Sequence, residues 1–444
     1  MEKITALFFI LFNFGVINAQ YTAIPDTNFE LELINQGIDT NSTIDGQVLT
    51  SAINTITILA MNNSNVAANI VNLAGIEGFT ALQELNFFSA GSLQVINLNQ
   101  NQYLKKLVLV NPQISNLNIS NNLTLETLYL YYASQLATID VSNNSDLKDL
   151  AIGNFNLAQL NISNNINLEK LRINYTQINQ LDLTHNTALK YIYFGNIPIT
   201  TINVNQNLLL EELRVYSCLI TSIDVSQNIN LKLLGTSTNT IQSIDVSQNT
   251  QLDTLYCINN QLTTINLSNN PLLNKILCNN YSGFPQNNLS SLYIQNGANS
   301  LLNGVYDIGS GSIPPTYNNR FDSTNNPSLH CIFVDDVANC NINWLGKDAT
   351  SNYVSTQQEC DNLNNETFII DKEITIYPNP ANEILNIKNN ERIKNVTIYD
   401  ILGKVVLEKN VDFEQINISN LISGLYLVKI STESETVVKK IIKE

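Results

Sequence analysis

Catalysis needs reactive side chains that can meet, and this chain of 444 residues has few. His185 and His330 are its only histidines, and neither has a serine, cysteine or carboxylate constellation that it could serve as base. The six cysteines contain no CxxC pair, so no zinc site is expected. Asp140, Asp182, Asp224 and Asp245 recur at one position of a repeating pattern. The same position elsewhere holds Asn97, Asn118, Asn161, Asn203 and Asn266. That mixture reads as a solvated strand rather than paired catalytic acids, and no loop motif supports calcium along it. The expectation is a chain that is not an enzyme and takes no cofactor and no metal.

The side chains that do recur with chemical meaning are arginine and tyrosine. LEKLRIN (168–174) and LEELRVYS (210–217) each place an arginine between buried-looking apolar residues, 42 residues apart. The element that positions them is an internal repeat. Starting at Ile96, Leu117, Ile139, Leu160, Leu181, Ile202, Ile223, Ile244 and Ile265, the steps are 21 residues, with one of 22. Asn follows each start by five residues (Asn101 to Asn270), Leu by eight (Leu104 to Leu273), and Leu or Ile by eleven (Leu107 to Ile276). One unit has too little apolar surface to fold alone, so units stack and share a core. Leu255-Tyr256-Cys257 alternates as a short strand; Ile265-Asn266-Leu267 predicts a second strand on the opposite side. The Asn amide is expected to donate to and accept from backbone at the intervening turn.

The net charge of −16 excludes nucleic acid, whose binding requires clustered Lys and Arg. Residues 1–19 read as a secretory signal: Lys3, the apolar run ITALFFILFNFGV, then a small residue at Ala19. The run is too short to span a bilayer and no later segment is apolar enough, so no transmembrane segment is expected in the mature chain. Export permits disulfides.

Together these motifs resemble the 21-residue leucine-rich repeat class LxxLxLxxNxLxxLDLxxNxx. IDVSQN at Ile223–Asn228 and Ile244–Asn249 matches its second half. The first consensus Asn is present only at Asn239 and Asn260; elsewhere its slot holds Pro112, Ala133, Phe155, Thr176, Ile197 and Cys218. The stretches 24–39 and 330–360 resemble the caps of secreted Bacteroidetes-type leucine-rich repeat proteins. The first predicts a short helix burying Phe29, Leu33 and Ile34; the second contains the single tryptophan, Trp344. In such caps an early and a late Cys bridge, which implies Cys331 to Cys360 here and leaves Cys340 free or a competitor. Cys257 and Cys278 face inward in adjacent repeats, where free core thiols fit better than a bridge.

The end of the chain contains Tyr377-Pro378-Asn379-Pro380, Leu385-Asn386-Ile387, Gly403, Gly424-Leu425-Tyr426 and Lys439-Lys440. Short alternating strands between Asn, Gly and Pro turns suggest a small β-sandwich. These motifs closely resemble the sorting domain of the type IX secretion system. The resemblance implies passage across an outer membrane, removal of the domain by a sortase-like protease, and residence at the cell surface or outside the cell. The expected fold class is thus mainly β: a leucine-rich repeat solenoid of about ten repeats with two caps, then a small β-sandwich. The expected divisions are 1–19 signal, 20–72 cap, 73–295 solenoid, 296–361 cap, 362–372 linker and 373–444 sorting domain.

Positions ten, twelve and fourteen after each start face outward, onto the expected concave side. The middle column reads Val108, Tyr129, Ala151, Arg172, Tyr193, Arg214, Gly235, Tyr256, Leu277. Lys170, Tyr191, Tyr131 and Tyr216 flank it. Asp149 is expected to pair with Lys170, leaving Arg172 and Arg214 without acids in their own column and Tyr193 between them. Column nine alternates Lys105, Glu126, Lys148, Glu169, Lys190, Glu211, Lys232, Asp253, a ladder that favours correct register. Two readings of the Arg/Tyr face stay open. One is a self-satisfied stack, in which an exposed Arg on Tyr gains about 0.5–1 kcal/mol. The other is a patch recognising an extracellular protein or glycan, since Tyr and Arg are enriched at interface hot spots. A structural surface component without a specific ligand is the alternative function.

Overall fold

Each step of the repeat lays down one short strand, and the strands stack in parallel at matching positions. The result, in the computed structural model, is a sheet of twelve strands running from Ile58–Met61 to Phe321–Asp322. The structure describes residues 20–61, 65–304, 320–364, 374–388, 392–432 and 436–444. The expected signal segment and residues 365–372 of the expected linker lie outside these. The chain divides into two units, Met1–Thr356 and Gln357–Glu444.

In the first unit, the ten strands from Glu84–Phe87 to Lys275–Leu277 belong to repeats, and the two outermost extend the sheet at either end. Alternation gives the sheet its two faces. In Lys170–Asn174, Leu171 and Ile173 are buried, while Lys170, Arg172 and Asn174 are not. The recurring leucines, such as Leu168, Leu189 and Leu210, are fully buried in one continuous core. Truncating one to Ala in such a site costs roughly 2–5 kcal/mol.

The Asn column forms a buried ladder. Asn186 Nδ2 donates to Ile162 O and Asn165 O, both at 2.9 Å. Asn207 repeats this on Leu183 O and Asn186 O. The expectation that these amides also accept needs correction: from Asn101 to Asn270 their Oδ1 atoms have no hydrogen-bond partner. Each amide spends its donors on two carbonyls of preceding turns, and its oxygen faces no N–H. The other consensus Asn does both: Asn260 donates to Thr236 O and accepts from Ile241 N.

The expected second strand forms only near the end of the solenoid. Thr264–Asn266 pairs with Ser291–Ile294, followed by Cys331–Val334 and Asn352–Val354. The side-chain turn at this position is common to both: Asn161 Oδ1 accepts from Ser163 N where there is no strand, and Asn266 Oδ1 accepts from Ser268 N where there is one. The turns after the eight strands from Lys106–Val110 to Thr254–Tyr256 each contain one left-handed residue: Asn111, Tyr132, Asn154, Tyr175, Asn196, Ser217, Thr238 and Asn259. Asn visits this region at little cost; bulky and β-branched residues do not.

The helix Thr27–Asn35 closes the first end, capped by Asp26 and burying Phe29 and Leu33; Ile34 is only half-buried. Its buried Glu30 accepts from the backbone of Asp45, Gly46 and Gln47. At the other end Trp344 is buried against Phe321, with ring centroids 4.8 Å apart. Cys331 and Cys360 are disulfide-bonded, and Cys218, Cys257, Cys278 and Cys340 are free and buried.

In the second unit, the helix Gln357–Asn364 covers the first residues of the expected linker. A three-stranded and a four-stranded antiparallel sheet follow. Leu385, Ile387 and Ile416 from one sheet and Val396, Ile398, Val428 and Ile430 from the other share one core.

Candidate functional site

The parallel register places Tyr129, Ala151, Arg172, Tyr193, Arg214, Gly235 and Tyr256 in one row across the exposed face of the long sheet. Side-chain size then decides who meets whom. Ala151 is too small to fill its place, so Arg172 folds across it toward the preceding repeat. Its Nη2 lies 2.6 Å from Asp149 Oδ1, and its guanidinium carbon sits 5.0 Å from the Tyr129 ring centroid. Tyr129 OH donates to the other Asp149 oxygen at 2.7 Å. This corrects the expected Asp149–Lys170 pair. Lys170 is opposite Asp149 in the ladder but is exposed, and the better-placed guanidinium takes the carboxylate.

Arg214 also finds an acid outside its own column. Its Nη2 is 3.1 Å from Glu212 Oε2, and it lies 6.0 Å from the Tyr191 ring. Tyr193, between the two arginines in register, meets Tyr216 edge to face at 6.1 Å. Gly235 makes this possible: a Cβ there would run into the Tyr216 ring. Tyr131 and Tyr191 are half-buried on the same face. Both arginines keep a buried Nε–H without a hydrogen-bond partner, as does the Asn174 Oδ1 acceptor.

The electrostatics follow the geometry. Burial opposes the charge of Arg172, but Asp149 and Tyr129 outweigh it and hold its pKa above the ordinary value. Burial, then Asp149, raises Tyr129. Burial also raises Tyr131, Tyr193 and Tyr216. Around the face, column nine forms three of the expected pairs: Lys148–Glu126 at 2.7 Å, Lys190–Glu169 at 3.0 Å and Lys232–Glu211 at 2.7 Å. Such exposed pairs contribute about 0–1 kcal/mol each. Among the described residues no three His, Cys, Asp or Glu side chains cluster for a metal.

Sequence reasoning missed one feature of this face. A pocket of about 510 Å³ opens at its far end, where Arg214, Tyr216, Tyr256, Lys275, Tyr281 and Phe284 converge. The signal for it was the lengthened step from Asn260 to Asn287, 27 residues instead of 21, which inserts the loop carrying Tyr281 and Phe284.

In the second unit the motif residues hold one another. Asn379 Nδ2 donates to Lys440 O, and its Oδ1 accepts from Ile442 N. Asn386 Nδ2 donates to Tyr377 O. Tyr426 OH donates to Ile422 O, and Gly424 starts its strand. Pro378 and Pro380 follow cis peptide bonds. Gly403 has a φ of +80°, in a turn closed by Asp400.

Over 72 residues the chain is 33% identical to Beta-agarase D from Zobellia galactanivorans; the match covers 16% of this chain and 15% of that protein, so the chain spans a small part of that relative's length. Similar solved structures include the functional domain of InlJ from Listeria monocytogenes, 18% identical, with a TM-score of 0.48 over 96% of this chain and 99% of that one. An internalin, inlF, from Listeria monocytogenes is 20% identical, with a TM-score of 0.40 over 61% and 89%. The leucine-rich repeat domain of APL1B is 15% identical, with a TM-score of 0.39 over 72% and 91%. Among the described residues no helix is long and apolar enough to cross a membrane. Residues 375–444 match the family described as a secretion system C-terminal sorting domain. They are the type IX sorting signal of this chain, which directs it across the outer membrane to the cell surface or the extracellular space.

Proposed function

We propose that the exposed face of the long sheet, concave along the solenoid, binds an extracellular protein or glycan without chemical turnover. Arg172, Tyr193 and Arg214 form the centre of the site, with Tyr129, Tyr131, Tyr191, Tyr216 and Lys170 around them. Residues 20–72 and 296–361 cap the solenoid of residues 73–295. The sorting domain, residues 373–444, engages the type IX machinery, whose sortase-like protease then removes it.

One observation carries this reading: two half-buried arginines sit among five tyrosines on one face. Partly desolvated Arg and Tyr are the residue types that dominate binding free energies. A second reading is favoured by the pairs Arg172–Asp149 and Arg214–Glu212: a stack that satisfies itself in a structural surface component.

The test is a screen of the purified chain on arrays of glycans and extracellular proteins, beside a variant with Arg172, Tyr193 and Arg214 changed to Ala. Both proteins must first be shown to be folded by a cooperative melting transition above the assay temperature. Saturable binding lost only in the variant supports the site. Equal binding by both moves recognition off this face, and no binding by either favours the structural component.

A further inference from the structure

We propose that one flank of the solenoid is the contact surface of a two-fold dimer, in which a second copy of this chain lies antiparallel against the first. The inference does not depend on what the exposed sheet face binds.

The flank lies where the chain enters each strand of the long sheet. Positions six and seven after the repeat start hold large apolar side chains in five of the seven repeats that start from Ile96 to Ile223: Tyr103, Leu123, Ile166, Leu208, Leu209 and Ile229. They are between 49% and 65% exposed and belong to neither core. Single exposed apolar residues are ordinary, but a file of them along one flank marks an interaction surface. An added strand finds little to pair with, because backbone carbonyls of the flank are already taken. Thr124 Oγ1 donates to Gln102 O and Leu104 O, Asn167 Nδ2 to Ser145 O and Asn230 Nδ2 to Leu208 O.

Charge selects the occupant. Two residues beyond the apolar file runs column nine, from Lys105 to Asp253. Its four lysines and four acids cancel, so the flank has no net pull on an anionic membrane. A two-fold axis passing between Glu169 and Lys190, across the direction of the repeats, reverses the ladder. The ladder alternates and has an even number of members, so reversal sets every lysine against an acid of the second copy. Lys105 meets Asp253, Glu126 meets Lys232, Lys148 meets Glu211 and Glu169 meets Lys190. The three pairs within each chain persist, with side chains 38–54% exposed, and each meets a pair of opposite order. Among the described residues no ion pair within the chain takes Lys105 or Asp253. Seven repeat steps of roughly 4.8 Å put these two about 34 Å apart in one chain. Reversal brings each beside the other's counterpart.

The same reversal matches the apolar file by size. Leu123 faces Ile229, Ile166 faces Ala188, and the bulkiest row, Leu208 with Leu209, faces the short Ser145 and Asp146. An axis in this direction turns neither sheet face inward. Both exposed faces stay open on one side of the pair, where a ligand with repeated epitopes meets two sites. Six apolar side chains per copy make a small, reversible interface, with a dissociation constant on the order of 1–100 μM.

The test is sedimentation equilibrium of the purified chain from about 1 to 200 μM. A monomer–dimer equilibrium is expected. Leu123→Glu combined with Ile229→Glu should weaken it by about 100-fold or more. Lys105→Glu sets two acids face to face at both ends of the pair and should weaken it by about 10-fold. Adding Asp253→Lys should restore it to within about 3-fold of wild type. Leu123, Ile229 and Lys105 are exposed, so their variants remain informative if the Asp253 variant misfolds; a cooperative melt checks each. A monomer at every concentration overturns the inference. So does a dimer that Leu123→Glu/Ile229→Glu or Lys105→Glu leaves intact, or a loss in Lys105→Glu that Asp253→Lys in a folded protein fails to rescue.

Discussion

Arg172 and Asp149 are joined at 2.6 Å diagonally across the sheet, although Lys170 lies directly opposite Asp149 in the ladder. The relationship organises the centre of the exposed face, because the same carboxylate also holds Tyr129 OH. Asp149→Ala strands a partly buried guanidinium and a phenol. It should cost about 1–3 kcal/mol in urea unfolding, whereas Lys170→Ala at an exposed position should stay within about 0.5 kcal/mol. Equal effects would contradict the pairing.

The buried Asn ladder makes a sharper demand. Asn186→Ala leaves Ile162 O and Asn165 O without their donor and should cost about 2–3 kcal/mol. Asn186→Asp should be worse, because a carboxylate has no N–H to offer and becomes a buried charge. Chemical denaturation midpoints with an unchanged slope decide this; an Asp variant as stable as wild type would show that the donors do not matter.

Acidification should loosen the side opposite the long sheet. Hydrogen bonds from the backbone N–H and hydroxyls of Thr184, Ser226 and Ser247 hold Asp182, Asp224 and Asp245 below the ordinary carboxylate range. Their folded pKa values lie below the unfolded value of about 3.9, so their contribution is complete above that pH and is lost as pH falls through the folded values. Changing all three to Asn, the residue that makes the same turn at Asn161 and Asn203, should leave the melting temperature at pH 7 unchanged. Below pH about 4 the variant should lose less stability than wild type. Parallel melting curves at all pH values would refute the assignment.

Tyr175 occupies a left-handed position, φ +48°, with its side chain 56% exposed. Three other repeats before the pocket place Asn there: Asn111, Asn154 and Asn196. Tyr175→Asn should therefore raise stability by about 1 kcal/mol, read as a higher melting temperature. A lower one would mean that the exposed ring makes contacts worth more than the strain it imposes.

The repeat was legible in the sequence because its leucines and asparagines recur at a fixed step, and each recurrence is one buried position. The sorting domain was legible from motif residues that hydrogen-bond one another, such as Asn379 with the Lys440 strand. The row from Tyr129 to Tyr256 was also readable, since parallel register follows from the period. What the period cannot encode is the diagonal reach of a long side chain. Arg172 passes over Ala151 to an acid in another column, so column-by-column pairing chose the wrong partner for Asp149. The pocket escaped notice for a related reason: its outer wall is an insertion that breaks the period, and its lining comes from strands and loop together.

We propose that recognition lies on the exposed sheet face. The most direct measurement is the affinity of one ligand from the array for three proteins: the wild-type chain, the Arg172/Tyr193/Arg214→Ala variant, and an Asp140/Asp182/Asp224→Asn variant altered on the opposite side. All three must first be shown to be folded by a cooperative melting transition above the assay temperature. The account predicts a loss of about 30-fold or more for the first variant, the size of a hot-spot cluster, and a wild-type affinity for the second. Wild-type affinity in the first variant, or an equal loss in both, would contradict it.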